Sequence, residues 1–320
     1  MLFRSSIFSD QFIAQSITST GPLGDLTSLA PQGLNNVTAP SVFGNIAAAG
    51  PIFGTIQTTG VRTDPVTGAT SQIPADLGRA YVVQPGGRNP QKFLTTTTIQ
   101  GQGPDSLTGQ IISRGNLISS VRSDGGATGL IAVQGDFGAV STLLGTPMRV
   151  GGLLVNGGFD GQLVVLGDDY GDLAFHGGIT GGRIAVKGTG GARSGILGNV
   201  IVDRGLYQTG AIGAGSAIVS GGEIGDAAYG TTLTVEDGNQ GIVAAIGTIR
   251  VENGTNLGGS VFNDAGGTSN AAAIDAIFTE NGQPLGLDLP GDPLGGLELI
   301  LQDLADLHVD SNSKLAGPNA

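Results

Sequence analysis

From Gly129 to Asp264 the chain repeats one device: a short apolar alternation such as LIAV, LLV, LVVL, RIAV or VIV, closed by a glycine-rich corner. Leu153, Leu163, Leu173 and Ile184 open successive alternations at intervals of 10, 10 and 11 residues. A strand of about five residues spans roughly 17 Å, and a short turn uses up the rest of such an interval. The spacing therefore predicts strand and corner with no helix between. Period-two alternation turns every second side chain inward, which makes Val155, Val165, Phe175 and Val186 the expected inward set.

The corners align as a loose unit, Gly, any residue, then an apolar one, as in Gly135-Asp136-Phe137, Gly178-Ile179 and Gly222-Glu223-Ile224. Evenly spaced short strands belong either to an antiparallel β fold or to a solenoid. Most strands here lack an intervening Asn-Gly or Asp-Gly hairpin pair, and glycine takes positive φ at a sharp corner without strain. Both features favour the solenoid, with about 20 to 30 residues per rung. Ile212, Ile218 and Ile224 fit the six-residue period of a left-handed hexapeptide helix, but that register does not persist to either side. The expected fold is all-β: a single-stranded parallel β-helix, right-handed and irregular, with a hairpin or loop excursion and a C-terminal capping helix.

On GLIAVQGDFGAV, GLLVNGGFDGQLVVLGDDYGDLAF and GGITGGRIAVKG, the chain resembles bacterial right-handed parallel β-helix proteins of surface or secreted type. More distantly it is similar to the bactofilin type of β-helical filament. The likeness is architectural and covers at most residues 110–265. It implies a structural, adhesive or polysaccharide-contacting role and carries over no functional residue.

Composition agrees with a thin core. Of 320 residues 59 are glycine, well over twice the usual frequency of about 7%, yet without the period of collagen. Hydrophobic residues make up 39% of the chain, but there is no Trp, and only four Tyr and two Met. The net charge of −12 argues against a nucleic-acid partner, because phosphate binding relies on clustered Lys and Arg. The absence of cysteine excludes disulfides, zinc–thiolate sites and thiol catalysis. No run approaches the ~18 apolar residues of a membrane-spanning helix. MLFRSSIFSDQFIAQS holds one Arg and no apolar core of about seven residues, so no signal peptide is read in it.

Four segments are expected. Residues 1–60 form an N-terminal cap and first rungs, 61–106 an irregular excursion or arm, 107–265 the β-helix core, and 266–320 a C-terminal cap. In the excursion, Arg62-Thr63-Asp64-Pro65-Val66-Thr67-Gly68 has the chemistry of a turn closing a hairpin. Arg62, Arg79, Arg88 and Lys92 lie here against Asp64 and Asp76, a locally basic arm on an acidic body and the candidate partner-binding set. In the cap, Leu297, Ile300, Leu301, Leu304 and Leu307 fall near one face of a helix, behind Asp292 as N-cap and Pro293 in the first turn.

Chemistry-bearing clusters are few. His176 and His308 lie far apart in sequence, too few for a three-histidine zinc site. GTGG at 188–191 lacks the Lys-Ser/Thr of a phosphate loop. The densest polar group is Asp168, Asp169, Tyr170 and Asp172, followed by His176. Asp168, Asp169 and Asp172 are the candidate calcium ligands, because carboxylates at a turn supply oxygens to Ca²⁺; the plain alternative is that Asp favours turns. The same carboxylates are the candidates for glycoside cleavage, with Lys187, Arg193 and Arg204 as a lyase-like basic set. Asn36-Val37-Thr38 and Asn253-Gly254-Thr255 match the glycosylation pattern, and Thr95 to Thr98 is a single threonine run where ice binding needs a recurring array.

The functional expectation is a non-enzymatic structural or adhesive solenoid of a bacterial surface or secreted protein, extracellular or at the cell surface. It is either a fragment of a larger chain or a self-associating subunit, whose partner is another copy or a cell-surface glycan. A polysaccharide lyase or glycoside hydrolase is the alternative, and a bactofilin-like filament subunit the second alternative. No cofactor is expected beyond the candidate calcium.

Overall fold

The computed structural model describes residues 5–9, 17–84, 92–143, 146–189 and 193–203, and beyond them the strands Ala217–Ser220, Glu223–Ile224, Leu233–Glu236, Thr248–Val251 and Val261–Asn263. These residues are all-β, with no helix among them. The capping helix expected near Leu297 to Leu307 lies outside the described residues. No helix among the described residues is long and apolar enough to cross a membrane.

Two long parallel sheets hold most of the strands, one of ten and one of nine. Apart from the side hairpins and corner strands, the chain visits them alternately. Gly152–Val155 lies in the first sheet, Gln162–Val165 in the second, Asp172–Phe175 in the first and Arg183–Val186 in the second. Partners within a sheet are therefore two alternations apart, with Leu153 beside Leu173 and Leu163 beside Ile184. The first sheet begins at Ser5–Ser9 and ends at Val261–Asn263. Thr98–Gly101 already sits inside it, between Ile46–Ala48 and Ser120–Ser123.

Between the sheets, single bridges stack the corners into two further columns. One runs Leu23, Val42, Leu77, Leu117, Phe137, Asp169, Ile196; the other runs Leu34, Ile52, Leu107, Ala127, Phe159, Ile179, its Leu107–Ala127 step made by a pair of short parallel strands. The apolar corner residue of the sequence unit is thus a core residue. Large and small alternate where columns meet: Phe159 sits beside Ala127 and packs its ring 5.0 Å from that of Phe175 at 48°. Val155, Val165, Phe175 and Val186 all belong to one contiguous apolar cluster. Each fully buried aliphatic or aromatic side chain contributes about 1.5–3 kcal/mol, and repetition along the columns offsets the thinness of the core.

The corners are tight. A Cβ on Gly198 would fall on the carbonyl oxygen of Gly171 in the neighbouring turn of the chain, so backbone packs on backbone there and only glycine fits. Positive φ serves a second purpose, because each side hairpin opens just after such a glycine: Gly60 at 68°, Gly78 at 92° and Gly138 at 72°.

Three antiparallel hairpins leave the body. The first pairs Val61–Thr63 with Thr70–Gln72 and is closed as the Asp-Pro chemistry predicts. Asp64 Oδ1 accepts the N–H groups of Val66 at 2.8 Å and Thr67 at 3.0 Å, and Gly68 takes φ 71°. The second pairs Ala80–Val83 with Phe93–Thr96, and the third pairs Ala139–Leu143 with Thr146–Val150. Between the first two the chain returns to the body: Leu77 is fully buried and bridges Val42 and Leu117. The basic segment is therefore two arms separated by a core residue.

Candidate functional site

The acidic corner is built by a ladder. From Leu77 to Asp169 in one column, the carboxylate or amide just before the corner residue accepts the backbone N–H of the equivalent residue one turn of the chain further on. Asp76 Oδ1 accepts from Asn116 N–H, Asn116 Oδ1 from Asp136 N–H, and Asp136 Oδ1 from Asp168 N–H, each at 2.9 Å. Asp168 Oδ1 then accepts from Gly195 N–H at 2.8 Å and Thr189 N–H at 3.1 Å, while its Oδ2 accepts from Thr189 Oγ1 at 2.7 Å. Such side chains satisfy amides that a corner would otherwise leave without a strand partner. Asn116→Ala should lower unfolding stability by about 1 kcal/mol, the net worth of one such bond, as read from the midpoint of chemical denaturation.

Each of the three candidate calcium ligands already has work in this frame. Asp168 is a rung of the ladder. Asp172 Oδ1 accepts from Asn199 N–H at 2.9 Å and Nδ2 at 3.0 Å, and meets Arg149 Nη1 of the third hairpin at 3.1 Å. Arg149 also donates to Leu197 O at 3.2 Å, so this one guanidinium fastens the hairpin to the body. Asp169 occupies a core column, fully buried. Its Oδ1 accepts from Gly171 N–H at 3.0 Å, and its Oδ2 has no partner. Among the described residues no group of three or more His, Asp or Glu is placed to hold a metal ion.

Burial acts on these acids. It pushes the carboxyl of Asp169 well above the usual carboxylate range, with the charges of Asp172 and Asp168 adding to the rise and the Gly171 N–H and Arg149 opposing it. Burial raises Asp136 as well, against the bond from Asp168 N–H. Asp64, at the exposed turn, is lowered by its bonds from Thr67 and Val66.

The basic set is dispersed. Arg62 is exposed on the first hairpin, in register with Ser71. Arg79 and Lys92 flank opposite ends of the second: Arg79 precedes Ala80, which pairs with Thr96, and Lys92 precedes Phe93, which pairs with Val83. Arg79 lies 5.6 Å from the ring centroid of Tyr81, within cation–π range. Arg88 falls outside the described residues, as do Arg204, His308 and Asn253.

The other sequence candidates are absorbed into the scaffold or left on the surface. Asn36 Oδ1 accepts from Thr55 N–H at 2.8 Å, another ladder rung. Thr96 Oγ1 lies 3.0 Å from Ser120 Oγ, Thr97 Oγ1 2.9 Å from Ser119 Oγ, and Thr98 Oγ1 donates to Asn45 Oδ1 at 3.3 Å, so three of the four threonines turn their hydroxyls to protein. His176 and Arg193 are exposed, and Lys187 is half-buried.

Sequence reasoning missed the third hairpin and its contact with the second. Both spring from one edge of the body, between the Leu77-to-Phe137 corner and the first sheet. The strands that follow them, Thr98–Gly101 and Gly152–Val155, are separated by one strand, which sets the hairpin roots about 10 Å apart, the packing distance of two sheets. On this pair Val82 is 49% exposed, Phe93 46% and Met148 39%. The available signal was the stretch from Val121 to Leu153, far longer than the interval from Leu153 to its own partner Leu173.

No protein-family model, curated protein or solved structure matches the chain.

Proposed function

We propose that the two sheets are walls of a right-handed single-stranded parallel β-helix, and that the protein is a non-enzymatic structural or adhesive element of a bacterial surface or secreted protein. What supports the first part is the alternate visiting of two parallel sheets, with corner columns between them. The second rests on one observation, the hairpin pair. It carries exposed Val82, Phe93 and Met148 beside the Arg79–Tyr81 stack, and stands off the two-sheet body. Exposed apolar groups next to cations suit a partner that is itself amphipathic and acidic, either an anionic glycan or the acidic flank of another copy.

The test removes the second hairpin, and with it one half of the pair, without touching Leu77. Deleting 81–93 behind a short Gly-Ser turn should leave the fold intact and abolish self-association or retention on an anionic polysaccharide, with retention by the intact chain falling as salt rises. Unchanged association and retention at low and high salt would overturn the reading. Turnover of pectin or alginate by the purified protein would favour the enzymatic alternative instead.

A further inference from the structure

The two corner columns lie on opposite sides of the body, because the chain passes the one holding Leu77 and Phe137 on its way from the second sheet to the first, and the one holding Leu107 and Phe159 on its way back. Their surfaces differ. All three hairpins leave on the Leu77 side, carrying the exposed cations Arg62 and Lys92 and the half-exposed Arg79. The carboxylates on that side are engaged by the protein itself: Asp76, Asp136 and Asp168 accept backbone amides, Asp64 closes its own turn, Asp172 pairs with Arg149, and Asp169 is buried. The far side is the reverse. Its corner segments, 29–36, 49–54, 102–109, 124–129, 156–161 and 176–182, hold Asp105, Asp124 and Asp160, all exposed, and no Lys or Arg. Asp124 accepts from the uncharged amide of Gln100 at 3.2 Å, which leaves its charge in place. Exposed apolar side chains lie among these acids, Leu29 at 50% and Phe53 at 38%. Phe53, Thr108, Thr128 and Asp160 form one exposed column, each donating its amide to the corner residue of the preceding turn.

We infer that the protein associates side by side, with the paired second and third hairpins of one copy seated on the Phe53-to-Asp160 corner of the next. This rests on the reading of the hairpin pair as the contact surface, and it chooses the occupant. The two surfaces are both amphipathic and opposite in sign: Val82, Phe93 and Met148 beside Arg79 and Lys92 on one, Leu29 and Phe53 beside Asp105, Asp124 and Asp160 on the other. Two bodies of net charge −12 repel each other wherever cations are missing, so the hairpins mark where approach is attractive. Because the patches differ and face opposite ways, the contact is heterologous and does not close at two copies.

Two sets of substitutions at exposed positions test this in the full-length protein, each variant being checked first for the parent's thermal transition. Phe53→Ser with Asp105→Lys and Asp160→Lys spoils the corner; Lys92→Glu with Phe93→Ser spoils the hairpin. The parent should sediment as a concentration-dependent series of oligomers that shortens as salt rises. Either variant alone should associate at least about ten-fold more weakly, the effect of losing a central anchor of an interface. An equimolar mixture of the two should form a one-to-one complex and nothing larger, since each keeps the half that the other lacks. A corner variant that associates like the parent would overturn the inference while leaving the hairpins as the contact surface. A monomeric parent retained through its hairpins on an anionic polysaccharide would overturn it in favour of the glycan. A parent that neither associates nor is retained would overturn the reading of the hairpins as well.

Discussion

Val165→Asp should prevent the protein from folding at ordinary temperature. Val165 is fully buried and lies between Val133 and Val186 in the second sheet, with Phe175 and Leu163 in the same apolar cluster. The substitution removes a buried aliphatic side chain and places a carboxyl where no donor faces it. An ionised carboxylate in such surroundings costs several kcal/mol or must take up a proton, so the total should exceed about 4 kcal/mol. A domain's whole stability is only about 5–15 kcal/mol. A column amplifies the damage, because each strand is held by the two beside it. The expected observation is loss of the cooperative thermal transition and of the strand signal in circular dichroism. A Val165→Asp protein that melts like the parent would place the residue outside the core. Val165→Ala serves as the milder control, with a fall of about 2 kcal/mol for the methyl groups lost.

How far the sequence reveals this architecture depends on whether a position repeats. Leu153, Leu163, Leu173 and Ile184 were legible because each heads an alternation that recurs at nearly constant spacing, and all four are core residues. The first hairpin was legible because its turn is local chemistry, Asp64 accepting from Val66 and Thr67. Leu77 was hidden: one apolar residue among prolines and polar groups has no periodicity to announce it. Its true signal is shorter, an Asp or Asn followed by an apolar residue, as in Asp76-Leu77, Asn116-Leu117 and Asp136-Phe137. That pair makes sense only once the side-chain ladder between turns of the chain is known. The third hairpin was hidden for the opposite reason, since Ala139–Leu143 and Thr146–Val150 read as ordinary strands of the repeat. The acidic cluster was found as composition, but its division into a ladder rung, a salt-bridge partner and a buried orphan depends on which way each strand position faces.

That orphan gives the second large effect. Asp169→Leu should stabilise the protein, by about 1–3 kcal/mol from removing a buried polar group with an unmet oxygen. The column already holds Leu at 77 and 117 and Ile at 196, so the shape is accommodated. The lost bond from Gly171 N–H is partly replaced by the contact that this amide also makes to Phe137 O at 3.3 Å. The pH dependence follows from the direction of the shift. Asp169 is raised in the folded protein, so it binds its proton more tightly folded than unfolded. Its contribution to stability is full below the unfolded value of about 3.9 and is lost as pH rises through the folded value. Asp136, also raised, acts in the same sense and persists in the variant, whereas Asp64, lowered at its exposed turn, acts in the opposite sense. Denaturation midpoints measured from pH 4 to 9 should therefore fall less steeply in Asp169→Leu than in the parent, with the advantage of the variant widening toward alkaline pH. Parallel curves, or a variant less stable than the parent at every pH, would mean that the Asp169 carboxyl is held by a partner worth more than its burial costs.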